Sequence, residues 1–98
     1  MSRPMLRYTL EACAHLDAIG VYTEETWGIE QRNVYMSQLF AGVEAIGKSP
    51  LTGRRRDELA TGMRSKRIQK HIAYYFVRKT HVLIVGVLHE RMEPSQNL

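Results

Sequence analysis

Only one cysteine, Cys13, occurs in 98 residues. The chain therefore has no pair to close an internal disulfide or open a cysteine zinc site, which fits a reducing compartment. Long apolar runs are also missing: none approaches the roughly 20 residues of a membrane-spanning helix. The segment MSRPMLRYTL lacks the apolar stretch and cleavage site of a secretory signal. A cytoplasmic chain without membrane association is expected. The four histidines lie far apart, with no HExxH pattern and no cysteine partner, so the usual metal signatures are excluded. Neither a metal nor another cofactor is expected. No internal repeat or low-complexity segment interrupts the chain.

What is present describes one folded unit. Apolar residues make up 44% and charged residues 24% of the sequence, close to the averages of globular proteins, so neither disorder nor a fibrous fold is favoured. A chain of this length supports one core, and a single domain over residues 1–98 is expected. The net charge of +4 is unevenly placed. Residues 1–53 carry four basic and six acidic side chains, residues 54–79 nine and two, and residues 80–98 one and two. The excess is thus a +7 segment between mildly acidic ends. A concentration of this kind steers acidic partners towards one surface, although a solvated basic face also serves solubility alone.

Periodicity organises the chain as β-α-α-β-β-β. Met5 to Tyr8 is short and apolar-rich, reads as an edge strand, and is stopped by Thr9, a favourable helix cap. From Leu10 to about Trp27, the residues Ala12, Leu16, Ile19, Thr23 and Trp27 recur every three or four positions, as in an amphipathic helix. Gly28 permits the change of direction. A second helix is expected from about Glu30 to Ile46, with Tyr35, Leu39, Gly42 and Ile46 on one stripe. So short a connection makes the two helices antiparallel neighbours, and Gly42 is expected to let the partner helix approach closely. Lys48 to Gly62 reads as a loop with room for one helical turn. Arg64 to Lys70 alternates weakly. His71 to Val77 and Val82 to Leu88 are rich in Tyr, Phe, Val and Ile and read as strands joined by a turn at Arg78 to His81. Both strands carry apolar groups on both faces. Helices cover only one face of a small antiparallel sheet, so the other is expected to be partly open and to mark a partner site.

Isolated residues carry weaker signals. Cys13 is expected to be a small buried group on its helix, and Trp27 to pin the end of the helical hairpin in the core. His71 and His89 are expected as strand-end histidines bonded to a neighbour, His81 as an exposed turn residue, and His15 at a solvated or rim position. The Arg54–Arg56 run, beside Asp57 and Glu58, suits a local ion-pair cluster better than nucleic-acid contact.

LDAIGVYTEETWG in the first helix, GRRRDEL followed by GMRS, HIAYYFV in a strand and VLHERMEP near the end together resemble the RelE/ParE toxins of bacterial toxin-antitoxin modules, specifically the ParE (plasmid stabilisation) branch. The resemblance spans nearly the whole chain. It implies an α+β fold with an antiparallel two-helix hairpin on a small, mostly antiparallel sheet. It also implies a cognate ParD-like antitoxin that binds the toxin directly in a hetero-oligomer, and poisoning of DNA gyrase; the RelE-like branch instead cuts mRNA on the ribosome. Metal-free RNA cleavage needs a base, an acid and a cation for the phosphate. His71, His89, Glu58 and Tyr75, with Arg64, Arg67 or Arg91, are the candidates, but no spacing shows that they converge. The nuclease branch would imply a dense set of catalytic Lys and Arg or a His-Tyr pair at the extreme C-terminus; the terminus HERMEPSQNL has no such pair and the VLHERM wording resembles the gyrase-poison branch, so no catalytic residue is assigned and a non-enzymatic inhibitor is favoured. Under the resemblance, Arg64, Lys66, Arg67, His89 and Arg91 are the expected target contacts. Leu16, Ile19, Tyr35, Leu39 and Tyr75 are expected to line the antitoxin groove.

Overall fold

Thr9 ends one element and begins the next. Its backbone N–H continues the ladder of the first strand to Ile84 O at 3.0 Å, while its hydroxyl accepts the N–H of Ala12 at 3.1 Å and caps the first helix. Such a cap is worth about 1 kcal/mol. The computed structural model describes residues 5–98; the expected domain of residues 1–98 includes four residues outside that range. Strand β1 (Met5–Tyr8) leads into helix α1 (Leu10–Trp27), and Gly28 alone separates α1 from α2 (Ile29–Lys48). Gly28 takes φ +93°, a region costly for residues with a Cβ, and this lets the chain reverse within one residue. A 3₁₀ turn (Pro50–Thr52) precedes strands β2 (Arg54–Arg55), β3 (Met63–Ile68), β4 (His71–Val77) and β5 (His81–His89), and the chain closes with a short helix α3 (Pro94–Asn97).

The five strands form one sheet in the order β1-β5-β4-β3-β2. β1 runs parallel to β5 and the other pairs are antiparallel. The expected architecture is present, with one strand more: Arg54 and Arg55, read as loop from the sequence, pair with Ser65 and Arg64. The register of β4 on β5 steps between Tyr74 and Tyr75, which pair with Gly86 and Ile84, so Val85 is left as a bulge. A bulge shifts side-chain alternation by one. Val82 and Ile84 before it and Val87 after it therefore all belong to the helix-side core, while Val85 and Leu88 belong to the opposite face.

The main core lies between the helical hairpin and the sheet. Ala12, Leu16 and Ile19 of α1 and Leu39, Val43 and Ile46 of α2 meet Ile68, Ala73, Tyr75, Val82, Ile84 and Val87 of the strands. Gly42 serves a close approach, but to the sheet and not to the other helix: a Cβ there would fall 2.5 Å from Ile68 Cγ2. The second face of the sheet is not open as expected. Met63, Tyr74 and Leu88 are buried on it, with Leu59 and Ala60 of the β2–β3 loop packed against them. The Arg56 guanidinium stacks over the Tyr74 ring at 5.5 Å and is held by Glu58 at 2.8 Å, so the Arg-rich loop acts as a cover for this face.

Three further expectations fail at the surface. Cys13 is exposed, and Trp27, 69% exposed, lies outside the core: it follows buried Thr23 by four positions on the same helical face, but there the face lines an open cleft. His81 is half-buried as the first residue of β5 rather than a free turn residue. Among the described residues, no helix is long and apolar enough to cross a membrane.

Candidate functional site

Where the α1–α2 connection meets the β3–β4 turn, the surface opens into a cleft of about 580 Å³. The last turns of α1 supply Tyr22, Thr23 and Trp27, and the first turns of α2 supply Gln31 and Tyr35. The sheet side is Lys70, His71 and His89. These three are brought together by a tight hairpin. Gln69 adopts φ 57°, so only Gln69 and Lys70 are needed to connect Ile68 and His71, which pair directly. His71 in turn pairs with His89 across the β4–β5 ladder.

The polar groups of the cleft form one chain. The Lys70 backbone N–H donates to Tyr35 Oη at 3.3 Å, and Tyr35 Oη lies 2.5 Å from His71 Nδ1. The rings of His71 and His89 meet edge to face, with centroids 5.3 Å apart. Burial, followed by the neighbouring His89, pushes His71 down to about 4, against a smaller opposing pull from Glu90. Burial also raises the Tyr35 phenol above its ordinary value. At neutral pH the pair is therefore phenol and neutral imidazole. The phenol donates to Nδ1, which leaves the His71 proton on Nε2. His89 is oriented in the same sense, because its Nδ1 accepts the Arg91 backbone N–H at 3.2 Å. Both histidines match the expectation of strand-end rings bonded to a neighbour. His15, at the rim between α1 and β5, accepts the Val87 N–H at 3.2 Å.

The other residues singled out from the sequence are dispersed. Leu16, Ile19, Leu39 and Tyr75 are buried, Leu39 and Tyr75 completely, so in this fold they offer a partner no surface. Their periodicity marked the core, and of that group only Tyr35 reaches the cleft. Tyr75 spends its hydroxyl on Pro50 O at 2.7 Å. Arg64 and Lys66 sit opposite Tyr75 and Ala73, on the helix side of β3, whereas Arg67 sits opposite Ile72 on the other face. Arg64 donates to Leu51 O at 3.2 Å and Gly53 O at 2.8 Å, which ties β3 to the 3₁₀ turn. Arg67 is ion-paired with Glu90. Lys66 and Arg91 are exposed. The five expected target contacts are thus not one patch. Of the proton-transfer candidates, only His71 and His89 converge; Glu58 is engaged with Arg56 in the β2–β3 loop.

Sequence reasoning missed Tyr22, Gln31 and Lys70 as cleft residues and misplaced Trp27. Their usable signal was positional: all lie within six residues of Gly28 or in the two-residue turn before His71.

A different surface feature lies on α1. With one helical face buried through Ala12, Leu16, Ile19, Gly20 and Thr23, the opposite side carries Leu10, Ala14, Ala18 and Val21. All four are exposed, Leu10 by 89% and Val21 by 56%. At spacings of three and four they share one outward stripe, an apolar ridge with small residues at its centre.

Comparison with known proteins places the chain in a family. The family model described as ParE toxin of type II toxin-antitoxin system, parDE, matches residues 6–94. Toxin ParE1 of Mycobacterium tuberculosis (strain CDC 1551 / Oshkosh) is 34% identical over 95 residues, covering 94% of this chain and 97% of the relative. Toxin ParE1 of Caulobacter vibrioides is 35% identical over 92 residues, covering 94% of this chain and 95% of the relative. A solved structure titled Chromosomal ParDE TA system from P. aeruginosa superposes with a TM-score of 0.77 at 20% identity, covering 89% of this chain and 96% of that one, which shows the shared fold.

Proposed function

The chain belongs to the ParE toxin family of type II toxin-antitoxin systems, and from that premise we propose that it is a single-domain cytoplasmic toxin that poisons DNA gyrase and is neutralised by direct binding of a ParD-like antitoxin. The observation that carries the antitoxin half is the outward apolar stripe of α1. Four exposed apolar residues in register along 12 positions have no partner within the described chain, and exposed apolar faces of this kind are where amphipathic helices dock. Ala14 and Ala18 would let a helix approach closely. The occupant proposed is the amphipathic segment of the antitoxin.

For the gyrase half, Lys66 and Arg91 are the best-placed contacts, being exposed and free of any side-chain ion pair among those formed by the described residues. Arg67 and His89 join them in the proposal with part of their bonding capacity already used, and Arg64 supports the strand beneath. Purified chain is expected to inhibit gyrase supercoiling, to leave translated mRNA intact, and to lose inhibition when the antitoxin is added. Unimpaired supercoiling together with codon-dependent mRNA cuts would overturn it.

That second outcome is the ribosome-dependent endoribonuclease reading, and one observation favours it: Tyr35, His71 and His89 converge in a cleft. The chemistry is poorly met. His71 is a weak base with Nδ1 already occupied by Tyr35, and among the described residues Lys70 is the one permanent cation that lines the cleft, so the cleft offers a phosphate contact without the base that metal-free cleavage requires. We therefore place the inhibitor first and assign no catalytic residue.

A further inference from the structure

We propose that the cleft between the helical hairpin and the β3–β4 turn binds a nucleotide, with the base held against Trp27 and Tyr22 and the phosphate on Lys70. This holds whichever target the toxin acts on, because it rests on the cleft alone.

The first observation is aromatic exposure. Tyr22 and Trp27 are 66% and 69% exposed, and both line the same cleft. Two solvated aromatic faces at the mouth of a pocket form a stacking platform, and stacking of a base is tolerant of sequence because every base presents a π-face.

The second is the polarity of the floor. Both histidine Nδ1 atoms accept hydrogen bonds, from Tyr35 and from the Arg91 backbone. Each ring in its neutral form therefore holds its proton on Nε2 as a donor. Together with the Lys70 ammonium and the Gln31 amide, the sheet side and the opening of α2 are rich in donors. Among the described residues no carboxylate side chain lines the cleft. A donor-rich floor with one cation suits an anion, and the aromatic mouth selects an anion attached to a flat ring. A peptide carboxylate would satisfy Lys70 but leave the two aromatic faces in water.

Trp27 is the only tryptophan in the chain, so intrinsic fluorescence reports the site directly. Titration of the purified chain with AMP or UMP is expected to quench it saturably. Adenosine, which lacks the phosphate, is expected to bind roughly tenfold more weakly, and Lys70→Ala to lower AMP affinity by a similar factor, as loss of a charge-assisted hydrogen bond would. Backbone NMR shifts at Gln31, Lys70 and His71 provide a second readout that does not depend on the indole. The proposal is overturned if neither readout changes up to millimolar AMP, or if adenosine and AMP bind equally. Failure of Lys70→Ala to alter AMP binding would also overturn it, as would occupation of the cleft by an acidic peptide that AMP cannot displace.

Discussion

Tyr35 Oη and His71 Nδ1 lie 2.5 Å apart and join the start of α2 to the start of β4 by a half-buried hydrogen bond. Because the folded chain holds His71 neutral down to about pH 4, whereas an unperturbed imidazole protonates near 6.5, the unfolded state binds more protons between these values. Stability from this group is therefore complete above pH 6.5 and is lost as the pH falls towards 4. Thermal melting followed from pH 7.5 to 4 should show that decline. His71→Gln, which retains a polar side chain but cannot titrate, should flatten it. Parallel pH profiles for the two proteins would show that His71 is not the group responsible.

Gly42 and Ile68 provide a test of how the hairpin sits on the sheet. A Cβ at position 42 would lie 2.5 to 2.8 Å from three atoms of the Ile68 side chain, so Gly42→Ala should destabilise the chain by about 1–3 kcal/mol despite the better helix propensity of alanine. Ile68→Ala should also destabilise by about 2–5 kcal/mol through its cavity. The double variant should cost less than the two singles added together, because the new methyl enters the space that Ile68 leaves. Urea denaturation of the four proteins measures the coupling, and strict additivity would mean that the helix shifts away instead.

Those two residues also show what the sequence can and cannot reveal. The spacing of Leu16, Ile19, Leu39 and Ile46 was enough to place both helices and their buried stripes, and the β-rich runs placed β4 and β5, because burial imposes a period that a linear chain must carry. Gly42 was recognised as a close-approach position, but periodicity does not say which neighbour approaches, and Ile68 is the answer only once β3 is in place. The same limit explains the antitoxin residues. A stripe that faces the core and one that faces a partner have identical spacing, so Leu16, Ile19 and Leu39 fit a groove as well as a core in the sequence, and the fold buries them. The outward stripe, Leu10 to Val21, is masked in the sequence because α1 is apolar on two sides. The cleft was illegible for another reason: Tyr35 and His71 are separated by 35 residues, and a two-residue turn with Gln69 in the left-handed region is what brings them together.

The outward stripe of α1 predicts a separation of function. Leu10→Asp with Val21→Asp places two charges on exposed positions, where substitutions usually change stability by less than about 0.5 kcal/mol. The variant should keep its melting temperature within a few degrees. It should bind the antitoxin at least roughly tenfold more weakly, since two apolar contacts are replaced by desolvated carboxylates. Co-expression should then no longer rescue growth although toxicity persists. Calorimetry showing unchanged antitoxin affinity would place the docking surface elsewhere.

Arg64 and Lys66 are two residues apart on one strand and share a face, yet they should fail in different ways. The Arg64 guanidinium donates to the carbonyls of Leu51 and Gly53, so Arg64→Ala removes a strut between β3 and the 3₁₀ turn and leaves two carbonyls to water. A cost of about 1–2 kcal/mol is expected for hydrogen bonds from a charged donor that are partly exposed. Lys66 is exposed, so Lys66→Glu should leave stability unchanged within about 0.5 kcal/mol. If gyrase is met by this basic surface, charge reversal should instead reduce inhibition of supercoiling, and more so at low salt, where unscreened charges steer association. Denaturation midpoints and supercoiling assays on both variants distinguish the roles. A stable Lys66→Glu protein with full inhibitory potency at every salt concentration would remove Lys66 from the target surface. Arg64→Ala with unaltered stability would release Arg64 from its structural role and make it available for target contact.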